Sequence, residues 1–546
     1  MPNNKMKVGI LLDDLTVASW VADIIAFIEK HPNIDIAFVG VNQSKSKGAS
    51  SSTVYRVLRM VDRKLFKPTG NPFKKIKLDL KSIDVLKITP QETRFSDRFS
   101  DEDVNKIKEY DVDFMLRFGF RILRDDILKS SKYGILSLHH GNTDTYRGGP
   151  PAFWEVVNKA PDTCVSLQLL TETLDGGIVL DKAFQRTDLT GFYRNQTKLY
   201  FAGIELVTNF LSKAVEHSAD SWITSRSNLF PNAIYSNRLY TNPKNREALI
   251  ISFQFLKAIL KRACNQFFFQ EQWQLVLMAS KSNWNNLALY RSKNLIPPKD
   301  RIWADPFTIR HENKQFLFFE ELIHQKDKAH ISYFELDKDL KPTTKKPIVV
   351  IDEPFHLSYP SIYKIDNEYY CCPESAASQS LTLYKATVFP NKWLPFKKLL
   401  DGVKVYDPTL IQYGGTWFLF CNQRIFSESS SDMYLHIYYT DDLFNQQLTA
   451  HPLNPIYRDA RISRPAGAIF KDENGDLIRP AQCSTTRYGH RIQFSKIITL
   501  TKTDFVETQV SQLTPDWEKC ILGTHTFNYN EGLFCGDVQV KRAKFF

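Results

Sequence analysis

The sequence predicts a multidomain chain: an α/β domain built on a parallel sheet, followed by an all-β domain of five propeller blades. Three observations carry that expectation. The chain has 546 residues, room for more than one domain at roughly 150 residues each. Its first part alternates short apolar runs with stretches of helical spacing, the mark of a parallel sheet with crossover helices. From residue 273 onwards a proline-containing piece recurs about every 50 residues, the period of propeller blades. Composition agrees. The 39 Phe and 23 Tyr against 22 Gly lean towards strands, and the charge-broken apolar windows exclude both a disordered chain and a polytopic membrane protein.

Residues 8–12 form a short apolar run, 17–28 have helical spacing and 34–41 are again strand-like. The stretch 41–72 is polar, with a serine-rich piece at 44–52, and reads as a surface loop leading into a basic helix. Residues 101–109 read as a helix whose first turn is acidic, which complements the helix dipole. Buried strands follow at 114–118 and 135–138, and an amphipathic helix at 196–217 closes a Rossmann-like domain over 1–217. A connector spans 218–267, with Pro231, Pro243 and a basic amphipathic helix at 246–263. That helix carries Lys257, Lys261 and Arg262 and is too short and too charged to span a bilayer. Two roles suit it: an interdomain helix with its apolar side on a core, or a peripheral contact with anionic membrane.

The propeller is expected over 268–546. Asp305-Pro306-Phe307 precedes the run 316–319, Tyr359-Pro360-Ser361 precedes 368–371, Asp407-Pro408-Thr409 precedes 417–420, and Arg464-Pro465-Ala466 precedes 476–479. The four prolines are 54, 48 and 57 residues apart, and residues 525–537 hold a degenerate fifth copy. Alternating strands at 330–336, 381–386 and 435–439 complete the units.

Lys and Arg number 71 against 60 acidic residues, a net charge of +11 that is mild over this length. It would tolerate a phosphorylated small molecule, but no dense basic tract exceeds Lys74-Lys75-Ile76-Lys77, so nucleic acid is not an expected partner. The eight cysteines contain no CxxC pair, which fits neither a disulfide scaffold nor a zinc ribbon, and no metal is expected. Asp13 and Asp14 fall where a secretory segment needs apolar residues, so the cytoplasm is the expected compartment.

The densest chemical signal runs from Gly134 to Pro150. A strand carrying Ser137 and His139 ends in a polar loop with His140, Asn142, Tyr146, Arg147 and Gly148, and residues at the carboxyl end of such a strand face the ligand crevice of α/β enzymes. A second strand delivers Asp175 into a glycine-flanked loop with Gly176 and Gly177. Ser137-Leu138-His139, Tyr146-Arg147-Gly148 and Asp175-Gly176-Gly177 together resemble the folate-dependent formyltransferases, over about residues 6–215. The resemblance implies transfer of a formyl group from 10-formyltetrahydrofolate to an amine, with catalytic roles for His139, Asp175, Ser137 and Asn142. It implies a pterin held largely by backbone around Leu116, Phe118 and Gly119 and around Thr171 and Leu174, with Tyr146 and Arg147 towards the acceptor. His139 would take the proton of the amine or stabilise the oxyanion; Asp175 would orient the imidazole, tune it, or relay the proton through water. The family's Asn, which polarises the formyl oxygen, is Ser137 here. Loss of such a donor costs about 100-fold to 1000-fold, so Ser137 with a water, or Asn142 or His140, has to take its place if the reaction is kept.

The Asp-Pro pieces resemble the blade starts of five-bladed propeller glycosidases and, more closely, the propeller attached to plant glucosamine inositolphosphorylceramide transferases. That resemblance puts Asp305, Tyr359, Glu374, Asp407 and Arg464 at a sugar site. An arginine beside two carboxylates suits a sugar carrying phosphate or carboxylate better than hydrolysis. The expected function is N-formylation of an amino sugar, nucleotide-linked, during glycan or glycolipid assembly. The alternative is a carbohydrate-binding or glycosidase-like propeller with a non-catalytic first domain. Methionyl-tRNA is a poorer acceptor, because the basic β-barrel of the tRNA enzyme has no counterpart in the sequence.

Overall fold

The computed structural model describes residues 5–545 except 45–50, 81, 94, 232, 281–282, 427–429 and 531; most of the serine-rich stretch therefore lies outside the described residues. The chain divides into two compact units, Met1–Ala258 and Ile259–Phe546.

The first unit is built on a seven-stranded sheet. Its main elements are β1 (Met6–Leu12), α1 (Ser19–Lys30), β2 (Ile34–Asn42), α2 (Thr53–Leu65), β3 (Asp84–Ile88), α3 (Asp101–Glu109), β4 (Phe114–Arg117), β5 (Ile135–His139), α4 (Trp154–Val157), β6 (Asp162–Leu169), β7 (Ile178–Arg186), α5 (Phe192–His217), α6 (Ala219–Leu229) and the first part of α7 (Asn245–Phe268), the helix within which the two units divide. The sheet order is β7-β6-β5-β4-β1-β2-β3. The five strands from β5 to β3 in that order pair in parallel, while β6 and β7 are added antiparallel. Chain order reverses between β1 and β4, the switch point at which open α/β sheets leave a crevice at the carboxyl ends of the strands.

Two helices begin where long-range partners decide. The expected helix at 17–28 starts instead at Ser19, because Thr16–Ala18 pairs antiparallel with Lys75–Lys77. The helix expected from 196 starts at Phe192, because Asp62 of α2 accepts the N–H groups of Phe192 and Tyr193 at 2.9 and 2.7 Å. That carboxylate satisfies two of the orphan donors that every helix start carries, from 130 residues away. The basic connector helix is longer than its sequence pattern, and its apolar residues divide. Ala248 and Ile251 are buried with Tyr55 and Leu58 of α2, whereas Leu249, Ile250, Phe253 and Leu256 are exposed. No described helix is long and apolar enough to cross a membrane.

Among the described residues the second unit holds five antiparallel sheets. Four follow one another along the chain, built on Arg301–His311, Ser358–Ile365, Val405–Tyr413 and Leu477–Cys483 with their neighbours. The fifth joins the two ends of the unit: Phe269–Ala279 pairs residue for residue with Leu533–Ala543. The repeat is visible in the backbone. In three sheets the first strand slips register at its X-Pro dipeptide, between Ala304 and Phe307, Ser358 and Ser361, and Tyr406 and Thr409. The residues before these prolines, Asp305, Tyr359 and Asp407, share a left-handed φ of 50°, 47° and 48°. Arg464, the fourth member, does not adopt it, and Pro465 makes a single bridge to Ala481.

The pairing of first and last strands makes the second unit sensitive to its end. Ending the chain at residue 532 strips Phe269–Ala279 of its partner along its whole length. Loss of the cooperative thermal transition of this unit is expected, read by calorimetry with Ile259–Phe546 produced both whole and truncated.

Candidate functional site

Three pieces of sequence meet at the crevice end of the sheet. β5 carries Ser137 and His139 on one face, since side chains alternate along a strand, and sends His140 to the other. His139 Nδ1 lies 3.4 Å from Asp175 Oδ1, and its Nε2 lies 2.7 Å from the Tyr146 carbonyl oxygen. The second oxygen of Asp175 accepts the Gly148 N–H at 2.9 Å. Gly141 permits this closure, since a Cβ there would fall 2.6 Å from Tyr146 O and 2.8 Å from His139 Nε2. Asp175 takes a left-handed φ of 48°, which Asp tolerates better than most residues.

The electrostatics follow from this clamp. Burial alone would lower the pKa of His139, but the hydrogen bond and charge of Asp175 outweigh it and raise the value above the ordinary one. Burial likewise works to raise Asp175, and the imidazole overcomes it, holding the carboxyl below the usual range. With an acceptor at each ring nitrogen, His139 is set up as an imidazolium. His140 is the opposite case. It stacks on Tyr200 at 3.8 Å, against Trp20, and burial pushes it down to about 3. It stays neutral inside an aromatic cluster, on the face of β5 opposite Ser137 and His139.

The remaining expected residues divide. Ser137 is at the centre of the site, its Oγ accepting two hydrogen bonds from Arg117, at 3.1 Å from Nε and 2.9 Å from Nη2. Asn142 builds the loop instead: its side-chain oxygen accepts from Lys182 Nζ and from the Asp144 N–H. Arg147 reaches back to the Thr143 carbonyl at 2.7 Å and lies over the Tyr235 ring, and the Tyr146 ring packs on Tyr240. Leu116 is buried mid-sheet. In the loop after β4 the N–H groups of Phe118 and Gly119 go to Leu11, that of Phe120 to Asp13 and that of Arg121 to Asp97. That loop therefore has no free N–H from 118 to 121. On the facing loop Thr171 accepts from the Thr173 N–H, while Leu174 is half-buried and its backbone groups have no partner among the described residues.

Sequence reasoning missed two groups here. Arg117 ends a strand whose apolar pattern draws attention away from it. Glu155, on the short helix α4, is pushed up to about 7 by burial, with the charge of His139 acting against the shift. Neither lies in the motif loops.

In the second unit the X-Pro bulges gather a buried charged cluster. Arg464 Nε donates to Asp407 at 2.5 Å, and its other nitrogens reach Asp432 at 3.1 Å and Glu374 at 3.4 Å. The guanidinium is thus engaged by carboxylates of its own protein, which corrects the expectation that it faces a sugar phosphate. Glu374 accepts the Asp407 N–H, and its carboxyl is pushed up by burial and by the charge of Asp407. Tyr359 donates to or accepts from Thr409 and accepts the Gly467 N–H at 2.7 Å. Asp305 belongs to a second group unforeseen in the sequence. His525 sits between Asp537, 2.7 Å from Nδ1, and Asp305, 3.7 Å from Nε2, and stacks on Trp273. Burial opposes charging of this imidazole, yet Asp537 and Asp305 hold it up at about 9. Burial pushes Asp305 up to about 7 despite His525. One donor atom from each of the three lies within 4.8 Å of the others, a spacing a cation could use. Asp537, however, already accepts the N–H groups of Asp305, His525 and Thr526, so the imidazolium is the cation this cluster is built around.

A family model described as "Glucosamine inositolphosphorylceramide transferase 1, N-terminal" matches residues 297–529. Glucosamine inositolphosphorylceramide transferase 1 of Oryza sativa subsp. japonica is 34% identical over 210 residues, 38% of this chain and 28% of that protein. Methionyl-tRNA formyltransferase of Thermodesulfovibrio yellowstonii is 30% identical over 115 residues, 21% of this chain and 37% of that protein. Likenesses to two families fall on different parts of the chain. The formyltransferase likeness falls in the N-terminal region and the plant transferase likeness in the C-terminal one. Among solved structures, a family 117 glycoside hydrolase of Zobellia galactanivorans covers 50% of this chain and 91% of its own at 12% identity, with a TM-score of 0.32. The chain spans little more than a quarter of the rice relative's length and about a third of the bacterial one's.

Two outcomes follow for the formyltransferase-like unit and its neighbour. The His139 imidazole is expected to titrate above its ordinary value of 6.5 in NMR spectra. In Asp175→Asn the main raising partner is gone while burial remains, so the midpoint should fall relative to the wild type. In the second unit, Arg464→Met leaves buried carboxylates without their cation, a loss of about 3–5 kcal/mol at neutral pH. The deficit should shrink as pH falls and those carboxylates take up protons, measured by urea unfolding at two pH values.

Proposed function

We propose that this chain is an N-formyltransferase that moves a formyl group from 10-formyltetrahydrofolate to the amine of an amino sugar. The observation that carries the reading is the convergence of Ser137 and His139 of β5 with Asp175 of the β6–β7 loop and the Gly148 N–H. Formyl transfer needs an acceptor for the amine proton and stabilisation of a tetrahedral oxyanion. The imidazolium of His139 faces the second need, and Asp175, buried beside it, receives the proton through water. The donor molecule supplies the formyl group and leaves as tetrahydrofolate. The free backbone groups of Leu174, with Thr171 beside it, suit an amide-rich pterin ring, whereas the committed N–H groups of Phe118 and Gly119 leave the opposite loop to contribute carbonyls and apolar surface.

An amino-sugar acceptor is favoured by the second unit, whose relatives carry glucosamine in their name. Its five sheets are read as five blades of one propeller, supported by the pairing of its first and last strands. The bulged Asp305, Tyr359 and Asp407 are read as the floor of a sugar-binding face, in surface glycan or glycolipid assembly in the cytoplasm. A second reading, a sugar-binding propeller beside a non-catalytic first unit, draws its support from Ser137 in place of asparagine.

Incubation with 10-formyltetrahydrofolate and a panel of nucleotide-linked amino sugars separates the two readings. A mass gain of one formyl group on an acceptor is expected, falling about 100-fold or more in His139→Ala and in Asp175→Ala. No transfer to any acceptor, with no folate binding by calorimetry, would favour the second reading.

A further inference from the structure

We propose that Arg117 and Ser137 together replace the missing asparagine: the Ser137 hydroxyl is the oxyanion donor, and Arg117 is the positioning residue that aims and strengthens it. This rests on the formyl-transfer reading above. Ser137 and Arg117 are register partners on adjacent parallel strands. The Ser137 oxygen accepts from both Nε and Nη2 of the guanidinium, at 3.1 and 2.9 Å. A hydroxyl has two acceptor lone pairs and one donor hydrogen. With both lone pairs engaged by Arg117, the O–H has only an outward role left, and it has no acceptor among the described residues. Donation from a charged group also polarises that hydroxyl and makes it a stronger donor than a lone serine.

The cation itself points the same way. Nη1 of Arg117 is held by the carbonyls of Phe120 and Arg121 at 3.4 and 3.1 Å, so the guanidinium cannot swing away. Among the described residues no carboxylate lies within ion-pair distance of it, although Asp175 and Asp13 act on it from farther off. A half-buried guanidinium that is fixed but not neutralised is costly to maintain, and it favours negative charge developing beside it. Ser137 and His139, two residues apart on β5, place the hydroxyl and the imidazolium on one face of the crevice.

In the step itself, the acceptor nitrogen bonds to the formyl carbon while the carbonyl π pair moves onto oxygen, where the Ser137 O–H meets it. On collapse the bond from carbon to the donor nitrogen breaks. That nitrogen departs with the pair and takes up a proton, balancing the proton the amine surrenders towards Asp175.

The test uses the full chain, 10-formyltetrahydrofolate and whichever nucleotide-linked amino sugar the wild type formylates, with thermal melting as the folding control. Ser137→Ala and Arg117→Ala are expected to lower kcat about 100-fold with KM within about threefold. Guanidinium ions added to Arg117→Ala should restore part of the rate, and Arg117→Lys, which keeps the charge without the fork, should remain slow. The double variant Ser137→Asn with Arg117→Ala rebuilds the family's donor and should exceed either single alanine variant at least tenfold. Folded Arg117→Ala or Arg117→Lys with wild-type kcat overturns the proposal alone, as does a double variant no faster than the singles. A wild type that transfers no formyl group overturns the underlying reading and this proposal with it.

Discussion

The first unit depends on one imidazole held between two acceptors. His139 joins the end of a central strand to the Tyr146 carbonyl on one side and to Asp175 on the other, and Asp175 in turn fastens Gly148. Two loops 27 residues apart in the chain are thereby fixed against the sheet by charge-assisted contacts. Buried charge is unfavourable unless paired and hydrogen-bonded, so each member of this set requires the others. The same contacts raise the pKa of the imidazole and lower that of the carboxyl, which makes the set electrostatic machinery as well as a fastening.

The second unit solves a similar problem with more charges. Its X-Pro bulges turn side chains inward at the start of successive sheets, and two cations answer the carboxylates gathered there. Arg464 is shared by Asp407, Asp432 and Glu374, and His525 is set between Asp537 and Asp305. Removing one partner from such a set leaves a buried charge uncompensated, whereas the complete set is tolerated. Left-handed backbone before proline is strained, and its recurrence at Asp305, Tyr359 and Asp407 marks places where the surrounding sheets over-determine the conformation.

Much of this was legible in the sequence. The helix at 101–109 is observed with the same bounds, because its acidic first turn and its spacing are local signals. The strands carrying Ser137 and His139, the convergence of Asp175 with them, and the X-Pro repeat were also readable. Arg117 was not: a charged residue closing an apolar strand looks like an ordinary strand end until its register partner is known to be Ser137. The start of α5 was misplaced because its cap, Asp62, lies on another helix. The role of Arg464 was misjudged because composition near Pro465 says nothing about which carboxylates the fold brings to it.

The sequence by itself determined the periodicities and the residue types: alternation of strand and helix in the first part, the recurring proline pieces in the second, and the short motifs that carry chemistry. These are properties of neighbours along the chain, where side-chain alternation, helical spacing and the limits that proline sets on φ act over a few residues. Only the tertiary structure decided which cation meets which carboxylate, which N–H groups remain free, and that the first strand of the second unit pairs with its last. Those outcomes depend on separations of tens to hundreds of residues, where burial sets the strength of an electrostatic contact and the sheet register chooses its partner.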